Sequence, residues 1–299
     1  MLAKRLLAAA TLFALAPSAQ AHRMWLLPST TIVSGTDGWV SVDAAVSNDL
    51  FDANHQPLRL ELIKVWQPDG TAGVVQNAAT GRYRSTFDVE LDKLGTWKIG
   101  TSTTNVMGSF RLNGEERRVG GRFGGPLPAP PMAGTRQSAP VTAGPPQGEF
   151  RGPPPVALAD IPAGATDVRL IETVSRNEIF VTAGAPTTTV FKPTGHGLEL
   201  QPITHPDELV KGETARFRFL VDGKPAPNLK VTVIPGGKRY RDSELAVELT
   251  TGADGLLKVD WPQAGMYWLN ATAIDNHPAE PRATERRLSY VTTLEVMAP

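Results

Sequence analysis

Ala215-Arg216-Phe217-Arg218-Phe219-Leu220-Val221, followed at once by Asp222-Gly223-Lys224-Pro225, decides the fold class of this chain. Apolar side chains recur at every second position, which puts them on one face of a strand. The Asp-Gly pair that follows is a hairpin signal, because both residues tolerate a positive φ. Downstream the same grammar repeats. Residues 229–234 alternate and meet the turn Pro235-Gly236-Gly237, and 245–250, 256–259, 266–273 and 289–296 are further strand candidates. Turn signals recur about every 8–12 residues, the spacing of a β-sandwich.

The pattern extends upstream. Residues 38–46 alternate; so do 58–66, which run into Pro68-Asp69-Gly70. Residues 83–91, 96–101 and 107–112 are three more strand candidates, the last ending at Asn113-Gly114. Residues 119–155 then lose all apolar periodicity and become dominated by Pro and Gly. Such a stretch buries too little surface to offset its ordering entropy, so a disordered, polyproline-like insertion is expected. Strand-like sequence resumes at Asp167, which favours an insertion over a linker. Docking of proline-reading modules is the alternative use of the stretch. The expected organisation is all-β, with an N-terminal sandwich over 22–190 and a C-terminal Ig-like or transthyretin-like sandwich over 191–299. The two halves share short patterns: Gly95-Thr96-Trp97 parallels Gly265-Met266-Tyr267-Trp268, and Gly35 and Gly212 each precede an alternating strand. Two related domains are predicted.

Lys and Arg total 30, equal to Asp and Glu, so the net charge is zero. That argues against a basic nucleic-acid surface or a polybasic membrane patch. There is no Cys, which removes disulfides, thiolate ligands and a lipoprotein anchor. Lys4 and Arg5 precede an apolar run over 6–15, Pro17 and Ser18 break it, and Ala19-Gln20-Ala21 has small-x-small spacing. These are the parts of a cleavable signal peptide over 1–21. The run is shorter than the roughly 20 residues a membrane span needs. A periplasmic protein whose mature chain starts at His22, with no membrane span, is the expectation.

His22-Arg23-Met24-Trp25-Leu26-Leu27-Pro28 opens that mature chain; 197–206 (GLELQPITHP), Val221-Asp222-Gly223-Lys224-Pro225 and Thr251-Gly252-Ala253-Asp254-Gly255 follow later. With these motifs the chain resembles the periplasmic DUF4198 proteins, over nearly all of its mature length except the Pro-rich stretch. The resemblance implies a β fold and an association with cobalt or nickel uptake, in which a membrane metal-uptake system is the partner. The second half also resembles generic bacterial Ig-like modules.

His22 is the leading candidate for chemistry. A free α-amino group and an imidazole on one residue form a chelate for Ni, Co or Cu, and a second imidazole would complete it. The other histidines are His55, His196, His205 and His277, and none has H-x-H or H-E-x-x-H spacing. His55 sits in a polar loop where Asp49 and Asp52 could add oxygens, although such loops also arise from Asx turns. His205 or His196 could join His22 at the junction of the sandwiches. The expected metal ligands are therefore His22, His55 and His205, with Asp49 and Asp52 in support. No G-x-S-x-G, P-loop or S-x-x-K motif is present, so no enzyme is expected. The six Trp read mainly as core, with Trp261 before Pro262 the one most open to solvent. Arg239, Arg241, Arg286 and Arg287 read as solvated faces. The rival to a metal-binding accessory protein is a metal-independent adhesive or carbohydrate-binding module.

Overall fold

The computed structural model describes residues 22–120 and 153–299. The expected signal peptide over 1–21 and most of the Pro/Gly-rich insertion lie outside the described residues. The described ends of that insertion meet: Val119 bridges Val156, and the Gly120 amide donates to the Val156 carbonyl at 3.0 Å.

Three sheets make up the fold. The first runs in the order Arg23–Pro28, Gly38–Ser47, Ser85–Leu91, Gln76–Thr80, with Gln56–Pro57 also on Gly38–Ser47. Val40, Val42 and Ala44 point inward, and Trp39, Ser41 and Asp43 point outward, the period-two consequence of strand geometry. The last sheet centres on Thr214–Val221, paired with Leu198–Pro202 on one side and with Lys224–Pro225 and Leu256–Asp260 on the other. Between them lies a nine-stranded sheet. Its main path is Val247–Thr250, Lys230–Pro235, Gly265–Asp275, Ala283–Val296, Thr166–Ala183, Gly95–Leu112, Ile63–Trp66.

The nine-stranded sheet belongs to both sandwiches. Its two central strands, Thr166–Ala183 and Ala283–Val296, run parallel, from Leu170 beside Ala283 to Glu178 beside Thr292. On Thr166–Ala183, Ile179, Val181 and Ala183 enter a core with the first sheet. Val174 and Phe180, of opposite parity, enter a core with the last sheet. The outer sheets therefore cover opposite faces of one central layer. The strand order repeats as well. Arg23–Pro28, Gly38–Ser47 and Ser85–Leu91 correspond to Leu198–Pro202, Thr214–Val221 and Leu256–Asp260. The antiparallel pair Gly95–Leu112 with Thr166–Ala183 corresponds to Gly265–Asp275 with Ala283–Val296. The first strand of each pair opens on a glycine in the positive-φ region, Gly95 at 121° and Gly265 at 131°. Residues 190 and 191 fall in the 3-10 turn Thr189–Phe191, and Val190 and Phe191 pack in the second core.

Four details differ from the sequence reading. Residues 58–66 are not one strand: the chain crosses here from the first sheet to the central one, and the 3-10 turn Leu60–Leu62 makes the bend. Residues 96–101 and 107–112 are one strand, Gly95–Leu112, because the polar stretch between them pairs continuously with Thr166–Ala183. Trp261 is buried, not open to solvent; it caps the second core edge-on to Tyr267, with ring centroids 4.9 Å apart. Trp39 is the exposed indole instead, at 44%. Arg286 is buried rather than solvated, with Nη2 at 2.7 Å from both Asp222 and Asp275.

Candidate functional site

The strand Arg23–Pro28 lies at the edge of the first sheet, and three contacts pin its beginning. Arg23 sends Nη1 and Nη2 to the two oxygens of Glu244 at 2.6 and 3.0 Å, with its guanidinium 5.6 Å from the Trp268 ring centroid. The Met24 carbonyl accepts from Trp268 Nε1 at 3.1 Å. Trp25 is buried and donates Nε1 to Ser47 Oγ at 2.7 Å. Trp25, Leu50, Ile234 and Trp268 form a small core of their own, joining the first sandwich to the second. Residue 22 thus emerges from a strand end that is held on both sides.

His22 is exposed, and its ring stacks on His55 with centroids 3.8 Å apart and planes 14° from parallel. The register explains the meeting. Arg23 pairs with Ser47, and Gln56 pairs with Val46, so residues 22 and 55 flank the end of Gly38–Ser47. The loop between is ordered by Asn54, whose Oδ1 accepts from the Asn48 amide at 2.9 Å and whose Nδ2 donates to Asp49 at 3.0 Å. Partial burial and the neighbouring His22 both push the His55 imidazole below its ordinary range, which favours the neutral form that can ligate.

The other expected ligands do not join this pair. Asp49 is engaged by Asn54, and Asp52 faces Arg239 at 3.9 Å. His205 is buried between the sandwiches. Its Nε2 lies 3.0 Å from Thr96 Oγ1 and 3.2 Å from the Thr187 carbonyl, and its Nδ1 is held by Asp207. Both ring nitrogens are occupied, so His205 is a structural residue at the junction. Burial lowers its pKa, but the hydrogen bond and charge of Asp207 outweigh that and leave it raised. His196 Nε2 lies 3.3 Å from Thr104 Oγ1, and His277 is exposed 4.0 Å from Asp275. Among the described residues, no three His, Asp or Glu side chains are grouped to hold a metal ion. The rings meet face to face, and imidazole lone pairs lie in the ring plane, so a shared ion would need one ring to rotate out of this stack. The sequence reading missed Arg23, Glu244 and Trp268, because Arg23 and Glu244 are 221 residues apart and carry no motif.

A cleft of about 380 Å³ opens beside the pinned strand, lined by Leu27, Phe51, Arg241, Gln263 and Met266. A second feature is an ionic seam between the central sheet and the last one. Arg176 approaches Glu178 at 3.5 Å and Glu199 at 3.4 Å, Lys98 approaches Glu178 at 3.6 Å, and the Tyr290 hydroxyl donates to Glu178 at 3.1 Å. Two cations balance two carboxylates there, and all four side chains are buried, a paired arrangement that avoids the cost of an isolated buried charge.

Among the described residues no helix is long and apolar enough to cross a membrane. No curated protein matches the chain in sequence. Among solved structures, the D0-D1 domain of intimin is 10% identical, over 90% of this chain and 97% of that one, with a TM-score of 0.19. Escherichia coli alpha-2-macroglobulin activated by porcine elastase is 11% identical, over 91% of this chain and 31% of that one, with a TM-score of 0.20. Neither likeness is strong enough to bear on function. The model of a domain of unknown function, DUF4198, matches residues 19–275, and the chain belongs to that family.

Proposed function

We propose that the mature protein is a periplasmic accessory protein that binds a transition-metal ion, nickel or cobalt with copper as the third candidate. It would hold the ion for a membrane uptake system. The observation that carries this reading is the contact between His22 and His55, whose rings lie 3.8 Å apart at the end of a pinned strand. Cleavage after Ala21 would add the third donor: the amide nitrogen of His22 becomes an amine next to its own imidazole. An amine and two imidazoles suit late first-row ions, which prefer nitrogen donors. The pinning of Arg23, Met24 and Trp25 supports the same reading, because a held donor loses less entropy on ligation than a free chain end. The exposure of His22 leaves the ion accessible to a partner that takes it.

The test is calorimetric titration of the chain starting at His22 with Ni, Co and Cu, repeated on a chain carrying one extra Ala before His22 and on His55→Ala. Tight binding by the first alone is the expected result. Equal affinity in the extended chain would remove the amine from the site, and no binding of any ion would end the metal reading.

A further inference from the structure

The outer face of the first sheet carries a feature that the metal reading leaves unused. Trp39 is 44% exposed, and among the strands of that sheet it is the one exposed large apolar side chain. Directly across from it lies Glu90, and the next pair on the same face is Ser41 with Asp88. Gln76, on the neighbouring strand Gln76–Thr80, then pairs with Asp88. The polar groups beside the indole are fixed in place. Asp88 accepts from Ser41 Oγ at 2.6 Å and from Asn77 Nδ2 at 2.8 Å, and Glu90 accepts from Gln76 Nε2 at 3.2 Å. A register shift between Gln76 and Ala79, with Asn77 at a φ of 49°, turns the Asn77 amide onto the same face. Bulges commonly re-aim a side chain in this way.

The chemistry of this face selects its occupant. Asp88 and Glu90, which have no cationic partner among the described residues, would repel a nucleic acid backbone, while Asp43 is paired with Arg84 at 2.9 Å. A protein interface of ordinary size is centred on several large apolar side chains, and this face has one indole among amides and carboxylates. A flat indole beside ordered carboxylate oxygens and amide groups suits a ligand with one apolar C–H face and a rim of hydroxyl donors. Carboxylate acceptors strengthen each hydroxyl hydrogen bond, and the indole offers a rigid apolar surface with a polar edge. We infer that the outer face of the first sheet, with Trp39 as platform and Asp88, Glu90, Gln76 and Asn77 as polar contacts, binds a neutral β-1,4-linked hexopyranose chain. A β-1,4 chain runs extended, so the rings next to the one stacked on Trp39 can lie along the row of Glu90, Asp88, Gln76 and Asn77, whereas an α-1,4 chain coils away from that row. This site is separate from the His22–His55 pair and stands whether or not that pair binds metal.

The test uses the chain starting at His22, with cellohexaose, chitohexaose and maltohexaose as probes, read by calorimetry and by tryptophan fluorescence. A β-linked hexasaccharide should bind with a dissociation constant in the micromolar to millimolar range. Trp39→Ala should weaken it by more than about tenfold, the usual scale for truncating a central aromatic anchor. Asp88→Asn should weaken it severalfold. Trp39 faces solvent, so Trp39→Ala should leave the thermal midpoint in place and its metal titration should match the parent; Asp88→Asn, which weakens the bonds from Ser41 and Asn77, should lower the midpoint slightly. The proposal is overturned if neither β-linked probe binds at millimolar concentration, if maltohexaose binds as well as they do, or if Trp39→Ala leaves the affinity unchanged.

Discussion

Replacing Glu244 with Ala tests whether the strand end that carries His22 is held in place or only rests there. Glu244 takes two hydrogen bonds from Arg23, at 2.6 and 3.0 Å, and the two side chains are 24% and 20% exposed. A charge-assisted pair of this kind contributes about 1.5–3 kcal/mol when sheltered. Solvent access at this level reduces the figure to about 1 kcal/mol. The rest of the strand keeps its ladder from Arg23 beside Ser47 to Pro28 beside Val42, and Trp25 keeps Ser47. The loss therefore falls on local opening of the first residues, not on global unfolding. About 1 kcal/mol multiplies the opening equilibrium about fivefold. Hydrogen exchange at the Arg23 and Met24 amides, followed by mass spectrometry, should accelerate by that factor. Metal affinity scales with the fraction of chains in the closed form, so it can fall by no more than about fivefold. The thermal midpoint should move by no more than about 2–4 °C. Unchanged exchange would refute the pinning argument. A loss of affinity far beyond fivefold would show that Glu244 acts on the ion directly.

Three further outcomes follow from contacts elsewhere. Arg286→Met strips Asp222 and Asp275 of their shared cation, and because both carboxylates can rehydrate, urea unfolding should show a loss of about 2–3 kcal/mol rather than more; an unchanged midpoint would count against the buried clamp. The raised pKa of His205 means that its pairing with Asp207 stabilises the fold fully below about pH 6.5, the unfolded value, and is lost as pH rises through the folded value. Asp207→Asn should flatten that slope in denaturation curves recorded between pH 5 and 9, and a variant with the parent slope would contradict it. Gly100→Ala would place a Cβ 2.2 Å from the Asn177 carbonyl oxygen across the central sheet; a cost of roughly 3 kcal/mol is expected from thermal unfolding, and a neutral result would mean the two strands separate easily.

Much of the fold is readable without coordinates because its strands are one-sided. Residues 215–219 keep strict alternation, and Ala215, Phe217 and Phe219 are buried as that pattern requires. Gly95 and Gly265, which open the first strands of the two matching pairs, were readable for the same local reason. Elements that serve two sheets were not. Thr166–Ala183 buries both parities, so alternation tells nothing of its partners, and the polar middle of Gly95–Leu112 looks like a loop until its neighbour is known. Trp261 and Trp39 exchanged their expected roles because one sits at a core end and the other on an open face, a distinction set by packing. At the candidate site, His22 and His55 were each visible as residues. Their contact depends on how far Gly38–Ser47 runs before it turns, and no spacing rule reports that.

The parallel seam between Thr166–Ala183 and Ala283–Val296 has a kinetic consequence. Ser175 and Ser289 share a hydrogen bond across it, yet they are 114 residues apart in sequence. Topologies dominated by such remote pairings fold slowly, since loop-closure entropy is spent before any contact repays it. The N-terminal sandwich cannot cover one flank of Thr166–Ala183 until almost the last residues of the chain have arrived. In the interval that flank is an open template for wrong pairing. A chain truncated before Ala283 should therefore aggregate rather than yield a well-behaved half, and any dependence on holding chaperones would end only when the final strand docks.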